Sequence, residues 1–444
     1  MHRSDRDKKI SPASFSSILT GGALALALPM LATADVDKVD AAAKAVEPQV
    51  IEWRRHLHAN PELSNREVKT AEFVAKKLKS LGLEVKTGIG ITGVAALLKG
   101  GKPGRTIALR ADMDGLPVTE QNDLPFKSKV TSEFRGEKVG VMHACGHDAH
   151  VAILLGVAEA LVKMKDSLPG QVLFVFQPAE EGPPDGERGG AQLMLEQGLF
   201  KIAKPDAMIG LHVMASLNTG VIGYRPGPFM AGSDYFKIMV TGAQTHGSRP
   251  WGGVDPIAVS GQIIGGLQNI VSRQIDITRL PAVITVGAIK GGIRFNIIPD
   301  SVEMIGTIRT FDRGMREDIV KRMQTTASNI AEASGAKAEV QMRSEVSLPP
   351  VVNDDALTNR AVPLFEQLVG KDNVKLISLQ TTTEDFSYYG AQVPSLFFWV
   401  GITPPDKDAS TVAFNHSPLF YLDEAGMLTG IRAMLSLTTD FLAK

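Results

Sequence analysis

Gln171-Val172-Leu173-Phe174-Val175-Phe176-Gln177-Pro178-Ala179-Glu180-Glu181-Gly182 joins an unbroken apolar run to a polar segment that opens with proline. Branched and aromatic residues in so short a run, bounded by turn residues, predict a buried strand. On its N-terminal side Val151 to Met164 has the pattern of a helix, closed by Pro169-Gly170. Similar strands lie on either side in the chain: Thr106 to Arg110, which runs into Asp112-Met113-Asp114-Gly115, and Asp206 to His212. Strands alternating with helices predict an α/β core with a mostly parallel sheet and helices on both faces. Nearer the N-terminus, Val46, Val50, Trp53 and Leu57 recur at helical spacing until Asn60-Pro61. A second helix spans about Glu67 to Leu81 and stops at Gly82.

The rhythm changes between about Met230 and Arg343. Strand Asp234 to Thr241, helix Asp255 to Arg273, strand Ala282 to Ile289, strand Ser301 to Thr310, helix Gly314 to Ala333 and strand Lys337 to Met342 follow in order. That is the β-α-β-β-α-β arrangement of a ferredoxin-like unit. The α/β pattern then resumes with a helix from Asp354 and the buried strand Ser395 to Val400. The expected organisation is a core domain in two parts, residues 41–229 and 344–444, interrupted by a smaller domain over 230–343.

Of 444 residues 44% are hydrophobic and 21% charged, and 47 basic residues stand against 48 acidic ones. A balance near zero lacks the basic footprint of a nucleic-acid binder. The N-terminus differs from the rest. Arg3, Arg6, Lys8 and Lys9 precede the apolar stretch Ile18 to Leu28, and Ala32-Thr33-Ala34 offers a small-x-small cleavage pattern. The run is too short for a bilayer core of about 30 Å, so residues 1–34 read as a signal peptide, with export to the periplasm and no membrane attachment after cleavage. Cys145 is the single cysteine. An unpaired thiol in an oxidising compartment needs burial or a metal.

Candidate chemistry falls at strand ends and in the loops after them, where α/β sheets bind ligands. Met142-His143-Ala144-Cys145-Gly146-His147-Asp148-Ala149-His150 concentrates metal-ligand side chains at a helix entry, and a turn at Gly146 lets Cys145 and His147 face one centre. Adjacent carboxylates on an irregular segment point in different directions. One of Glu180 and Glu181 can therefore hold a metal while the other faces an attacking water as general base. His212 in Gly210-Leu211-His212 and His416 in Asn415-His416-Ser417-Pro418 are each either a ligand or a hydrogen-bonded structural residue. Together these sites can supply ligands for two cations about 3.5–4 Å apart, a spacing suited to hydrolysis.

The ordered motifs reach further. They begin with Arg54-Arg55-His56-Leu57-His58-Ala59-Asn60-Pro61-Glu62-Leu63-Ser64 and Leu109-Arg110-Ala111-Asp112-Met113-Asp114-Gly115-Leu116-Pro117. His143-Ala144-Cys145-Gly146-His147-Asp148, Gln177-Pro178-Ala179-Glu180-Glu181-Gly182, Asn296-Ile297-Ile298-Pro299-Asp300 and Glu384-Asp385-Phe386 continue them. With these the chain resembles the two-metal amidohydrolases that include hippurate hydrolase, plant auxin-conjugate hydrolases and bacterial N-acyl-amino-acid hydrolases. The resemblance implies that Cys145, His147, Glu181, His212 and His416 hold two divalent ions, of zinc, manganese, cobalt or nickel. It makes Glu180 the general base and proton shuttle, and places a cysteine where related peptidases carry a bridging aspartate. The inserted domain becomes a lid that also forms a homodimer interface. From that lid His246 would reach a neighbouring subunit's site to stabilise the oxyanion, the alternative being a surface histidine before a turn. Asn296 and Arg309 would grip the substrate's polar end, although Arg309 also suits an ordinary strand ion pair. Asp112, Asp114 and His150 are expected to support the ligands, and His56 and His58 to be structural.

Two features depart from the family pattern: Trp251 stands where many relatives carry a second histidine, and Thr381-Thr382-Thr383 stands where smaller residues are common. The expected reaction is hydrolysis of the amide in a small N-acyl amino acid or peptide-like substrate, by metal-activated water with Glu180 as base. The rivals are a dipeptidase or carboxypeptidase acting on short peptides, and an exported binding protein that has lost catalysis.

Overall fold

The computed structural model describes residues 33–343 and 347–443. The expected signal peptide therefore lies outside the described residues, apart from Thr33 and Ala34, which open the first helix, Thr33–Ala59. None of the described helices is long and apolar enough to cross a membrane.

The larger sheet has eight strands in the order Glu84–Ile89, Gly93–Lys99, Pro169–Gln177, Lys102–Asp112, Ala207–Asn218, Ser395–Thr403, Ile222–Tyr224, Val374–Leu376. Its four central strands, Pro169–Gln177 to Ser395–Thr403, run parallel. Gly93–Lys99 on one side and Ile222–Tyr224 on the other pair antiparallel to this centre. Sheets covered on both faces need apolar residues at every position rather than at alternate ones, which accounts for the unbroken runs at 171–177 and 395–400. On one face Val50, Leu154, Phe398 and Ile431 join helices Thr33–Ala59, His147–Lys163 and Ala425–Leu442 to the sheet. On the other, Met194, Phe397, Tyr389 and Trp399 pack with the short helices Gly190–Glu196 and Ser387–Gly390.

The second sheet follows the β-α-β-β-α-β order. Ala282–Gly291, Ser301–Thr310, Gly232–Thr241 and Lys337–Met342 lie side by side, all antiparallel. Helices Pro256–Asn269 and Arg313–Ala333 cover it through Ile263, Leu267, Ile319 and Met323.

Several boundaries differ from the sequence reading. The strand expected to stop at His212 continues to Asn218, because Ser395–Thr403 pairs with it as far as Asn218↔Thr403. His212 is thus within a strand. The helix expected to reach Arg273 changes to a π turn at Ile270–Gln274. The strands Glu84–Ile89 and Gly93–Lys99 and the helix Ala425–Leu442 are additional elements.

In the smaller sheet the register slips between Val286 and Ala288, opposite Gly306. A Cβ on Gly306 would stand 2.1 Å from the Thr285 carbonyl oxygen and 2.3 Å from Phe236 Cζ. Gly306→Ala is therefore expected to destabilise the chain by about 1–3 kcal/mol, seen as a lower urea midpoint with an unchanged slope.

Candidate metal centre

The carboxyl ends of the central strands converge. Asp112 pairs with Gln177, Arg110 with Gly210, and His212 with Trp399 on the neighbouring strand. The helix His147–Lys163 points its N-terminus at the same place. Gly146 caps it with φ 100°, and a Cβ there would lie 2.3 Å from Val213 Cγ2. Only glycine allows the Cys145-Gly146-His147 turn to approach the strand so closely. His416 comes from a late loop that is tied to this turn. Its N–H donates to Ala144 O at 2.8 Å. Asn415 Nδ2 donates to Cys145 O at 2.9 Å and to Val213 O at 3.1 Å, while its Oδ1 accepts from Ala215 N at 3.2 Å.

Five side chains from four separate stretches of the chain thus meet. Cys145 Sγ is 3.2 Å from His212 Nε2 and 3.3 Å from His416 Nε2. Glu181 Oε1 is 3.1 Å from His416 Nε2. Ligand atoms of Cys145, His147 and His212 lie within 4.8 Å of one another, as do those of Cys145, Glu181 and His416, so the thiol is common to two triads. Two histidines are held in the tautomer that a metal requires. His147 Nδ1 faces Asp114 Oδ1 at 3.2 Å, and His212 Nδ1 donates to Val213 O at 2.7 Å. Each ring then turns Nε2 inward, where a bound cation would take its lone pair in place of a proton. His150 acts from behind: its Nε2 accepts the Val213 N–H at 2.9 Å, so its proton is on Nδ1, 2.5 Å from Asp112 Oδ1.

The donors fit divalent cations. His147 Nε2 is buried without a hydrogen-bond partner among the described residues. The nearest carboxylate oxygens to His147 Nε2 are at 3.6 Å on Asp112 and 3.9 Å on Glu180. Buried polar atoms left this way are costly unless an ion or ligand meets them. Charge adds to the case. Burial, reinforced by Glu384, Glu181, Asp385 and Asp112, pushes Glu180 well above the usual carboxylate range. Burial and the charges of Glu181, Glu180 and Asp112 push the Cys145 thiol up. For His147 burial works against protonation, but Asp112, Asp114 and Glu181 outweigh it and raise its pKa to about 10. Excess negative charge converging on thiol, imidazole and carboxylate donors is the electrostatic complement of bound cations.

The centre opens into a cavity of about 1580 Å³ lined by Cys145, Glu180, Glu181, His212, His416 and Arg309 among others. Arg309 Nη1 is buried without a partner among the described residues. His246 and Asn296 are elsewhere, side by side in the smaller domain. His246 pairs with Ile297, and Asn296 O accepts from Gly247 N at 2.8 Å. The structure therefore brings together the five expected ligands, Glu180 and Arg309, and leaves His246 and Asn296 outside this chain's cavity. Thr381, Thr382 and Thr383 line the cavity, whereas Trp251 is 76% exposed. His56 stacks on Phe73, and His58 lies between Asp148 and Glu120.

Sequence patterns do not single out the clamp made by Asn415, nor Trp399, which lines the cavity with an indole N–H that has no partner among the described residues. Trp399 has one legible signal, its alternation with Phe397 along a strand beside that of His212.

Fold and site together define a metal-dependent hydrolase of C–N bonds. Residues 108–440 match the sequence profile of peptidase family M20/M25/M40, and the chain belongs to that family. Thermostable carboxypeptidase 2 of Saccharolobus solfataricus is 40% identical over 407 residues, 91% of this chain and 98% of that one. The N-acyl-L-amino acid amidohydrolase of Geobacillus stearothermophilus is 42% identical over 310 residues, 70% of this chain and 79% of that one. A dinuclear metal-binding M20 peptidase from Bacillus subtilis has a similar structure, with TM-score 0.75, 35% identity and coverage of 90% of this chain and 99% of that one.

Gly146→Ala tests the local geometry without touching a ligand. It should weaken metal retention by at least about tenfold, since small ligand displacements and lost support cost 10–100-fold in affinity. Metal analysis after dialysis reads this. Gly182→Ala, also at positive φ but with nothing within 4 Å of its Cβ, is the comparison.

Proposed function

We propose that this protein is an exported hydrolase of N-acyl amino acids that uses two divalent metal ions and Glu180 as its base. The observation that carries the reading is the shared thiol: Cys145 Sγ within 3.3 Å of both His212 and His416, with Glu181, His147 and Glu180 converging on it. Cys145, His147 and His212 would hold one ion, and Cys145, Glu181 and His416 the other. Thiolate and imidazole donors favour zinc, while manganese, cobalt and nickel are the other candidates, since availability and geometry select the ion. Bound cations of this kind polarise a carbonyl oxygen and lower the pKa of water.

The chain's own groups do the rest. Glu180 takes the proton of the attacking water and returns it to the leaving amine nitrogen, so base and acid are one residue. Arg309, half-buried with Nη1 free of partners among the described residues, would bind the carboxylate of the amino-acid portion. His246 is exposed, and its Nδ1 accepts from Ser248 N at 3.1 Å. In the neutral ring the proton is then on Nε2, which is free to donate to a developing oxyanion.

A lid-mediated homodimer would give that donor a site. Ile293 and Phe295, beside Asn296, are 99% and 95% exposed. Large apolar side chains grouped so openly mark a surface that a partner covers, and a second copy would carry His246 and Asn296 to the neighbouring cavity. Export, to the periplasm, rests on the N-terminal sequence alone.

A second reading, a carboxypeptidase acting on short peptides, is favoured by the name of the Saccharolobus relative. Both substrates present an amide followed by a carboxylate-bearing residue. Glu180→Gln should lower kcat by about 10²–10⁴-fold with metal content unchanged, and retained turnover would remove the base assignment. Comparing N-acetyl, N-benzoyl and dipeptide substrates on metal-loaded enzyme decides between the readings. Preference for dipeptides would overturn the acyl-amino-acid proposal.

A further inference from the structure

The motif Pro61-Glu62-Leu63-Ser64 and the residues after it lie outside the ligand set, yet they bracket the segment that carries Glu180 and Glu181. Ser64 Oγ donates to Asp114 Oδ2 at 2.7 Å. Asn65 Nδ2 donates to Glu187 Oε2 at 3.0 Å and to Arg188 O at 3.1 Å, and Arg66 pairs with Glu187 at 2.5 Å. Glu67, 0% exposed, reaches furthest in: its Oε1 accepts the Ala179 N–H at 2.9 Å, and its Oε2 accepts from Thr92 Oγ1 at 2.6 Å.

Ala179 has φ 51°, in the left-handed region that a residue with a Cβ disfavours. The next two backbone N–H groups, of Glu180 and Glu181, each donate to Asp114, to Oδ1 and Oδ2 at 3.1 Å. Three successive amides of the turn are thus captured by two buried carboxylates. Such a run of N–H groups is an anion-binding concavity, filled here by the protein itself. An ionisable side chain is an expensive way to fill core space. Its position, gripping the amide one residue before Glu180, gives it a task beyond packing.

We infer that Glu67 is a positioning residue: by fixing the left-handed turn at Ala179 it aims the Glu180 carboxylate at the reacting water. The inference rests on Glu180 being the base. Glu67 touches neither a ligand side chain nor the substrate cavity, so its removal should act on kcat and spare both metal content and KM.

The test compares Glu67→Met, Glu67→Gln and Thr92→Val as purified, metal-loaded enzymes on an N-acyl amino acid. Glu67→Met keeps the volume but offers no acceptor. Its kcat should fall about 10- to 100-fold, the effect of misplacing a catalytic group by about 1 Å, with KM within about twofold of the parent and metal content unchanged. Glu67→Gln should restore most of the loss, because its amide oxygen can accept from Ala179 while its NH₂ donates to Thr92 Oγ1. Thr92→Val, which frees one carboxylate oxygen, should lower kcat by a smaller factor, about two- to tenfold. It decides the question if Glu67→Met does not fold. Unchanged kcat in Glu67→Met overturns the inference, as does a Glu67→Gln enzyme no better than Glu67→Met, or a loss that follows metal content. With Glu67→Met unfolded, unchanged kcat in Thr92→Val does the same. A Glu180→Gln enzyme that still turns over removes the base itself, an outcome distinct from inactive Glu180→Gln beside fully active Glu67→Met.

Discussion

Negative charge is gathered where the central strands end. Glu181, Glu180 and Asp112 act on the Cys145 thiol, and ligand atoms of Asp112, Glu180 and Glu384 come within 4.8 Å of one another. One fully buried guanidinium answers part of it. Arg110 donates to Asp112 at 2.7 Å, to Glu384 at 2.8 Å and to Asp385 at 3.1 Å. Burial alone would push Asp112 up, but Arg110, His147 and His150 reverse this and hold it well below its usual range. Repulsion between carboxylates forced together in a dry interior is large on any dielectric assumption. The remaining charge is what a pair of divalent cations would neutralise, so the centre is built for ions before it is built for substrate.

The α/β scaffold makes this concentration tolerable. Strands supply fixed points, with Asp112, Gln177 and His212 at nearly the same height in the sheet. The loops that follow carry Cys145, Glu181 and His416 and are then tied down: by Asn415 across three backbone groups, by Asp114 on the Glu180–Glu181 amides, and by Gly146 where a helix end must approach a strand. Rigidity comes from hydrogen bonds to the backbone, which hold direction as well as distance. Apolar packing of the two faces, through Phe398 on one and Phe397 on the other, holds the sheet on which these loops stand.

Much of this was legible from the residues. A run such as Val172 to Phe176 declares a buried strand because both faces of a covered sheet are apolar, and the order of patterns between 230 and 343 gives the smaller sheet directly. The donors announce themselves by chemistry: a lone cysteine beside histidines, and paired glutamates after a strand. What sequence conceals is direction. Nothing in the identity of Asn415 or Glu67 says that either grips the backbone of a segment far away in the chain, since both belong to residue types common on surfaces. The pattern at Gly210-Leu211-His212 suggests a strand end, but pairing with Ser395–Thr403, a partner nearly two hundred positions distant, carries the strand on to Asn218.

His246 and Asn296 expose a different limit. Their side chains sit on a short pairing between Thr245–His246 and Ile297–Ile298, next to bare Ile293 and Phe295, away from the cavity that Arg309 enters. An imidazole whose Nδ1 is met by Ser248 presents its Nε2 outward. Under the proposed dimer, the exposed Ile293 and Phe295 beside it would be covered by protein, and an acceptor would reach that nitrogen by the same contact. Among the described residues of one chain, the proposed ligands and base therefore form a chemically coherent set, with His246 and Asn296 outside the cavity they share. Completion by a second copy would couple the capacity for turnover to assembly.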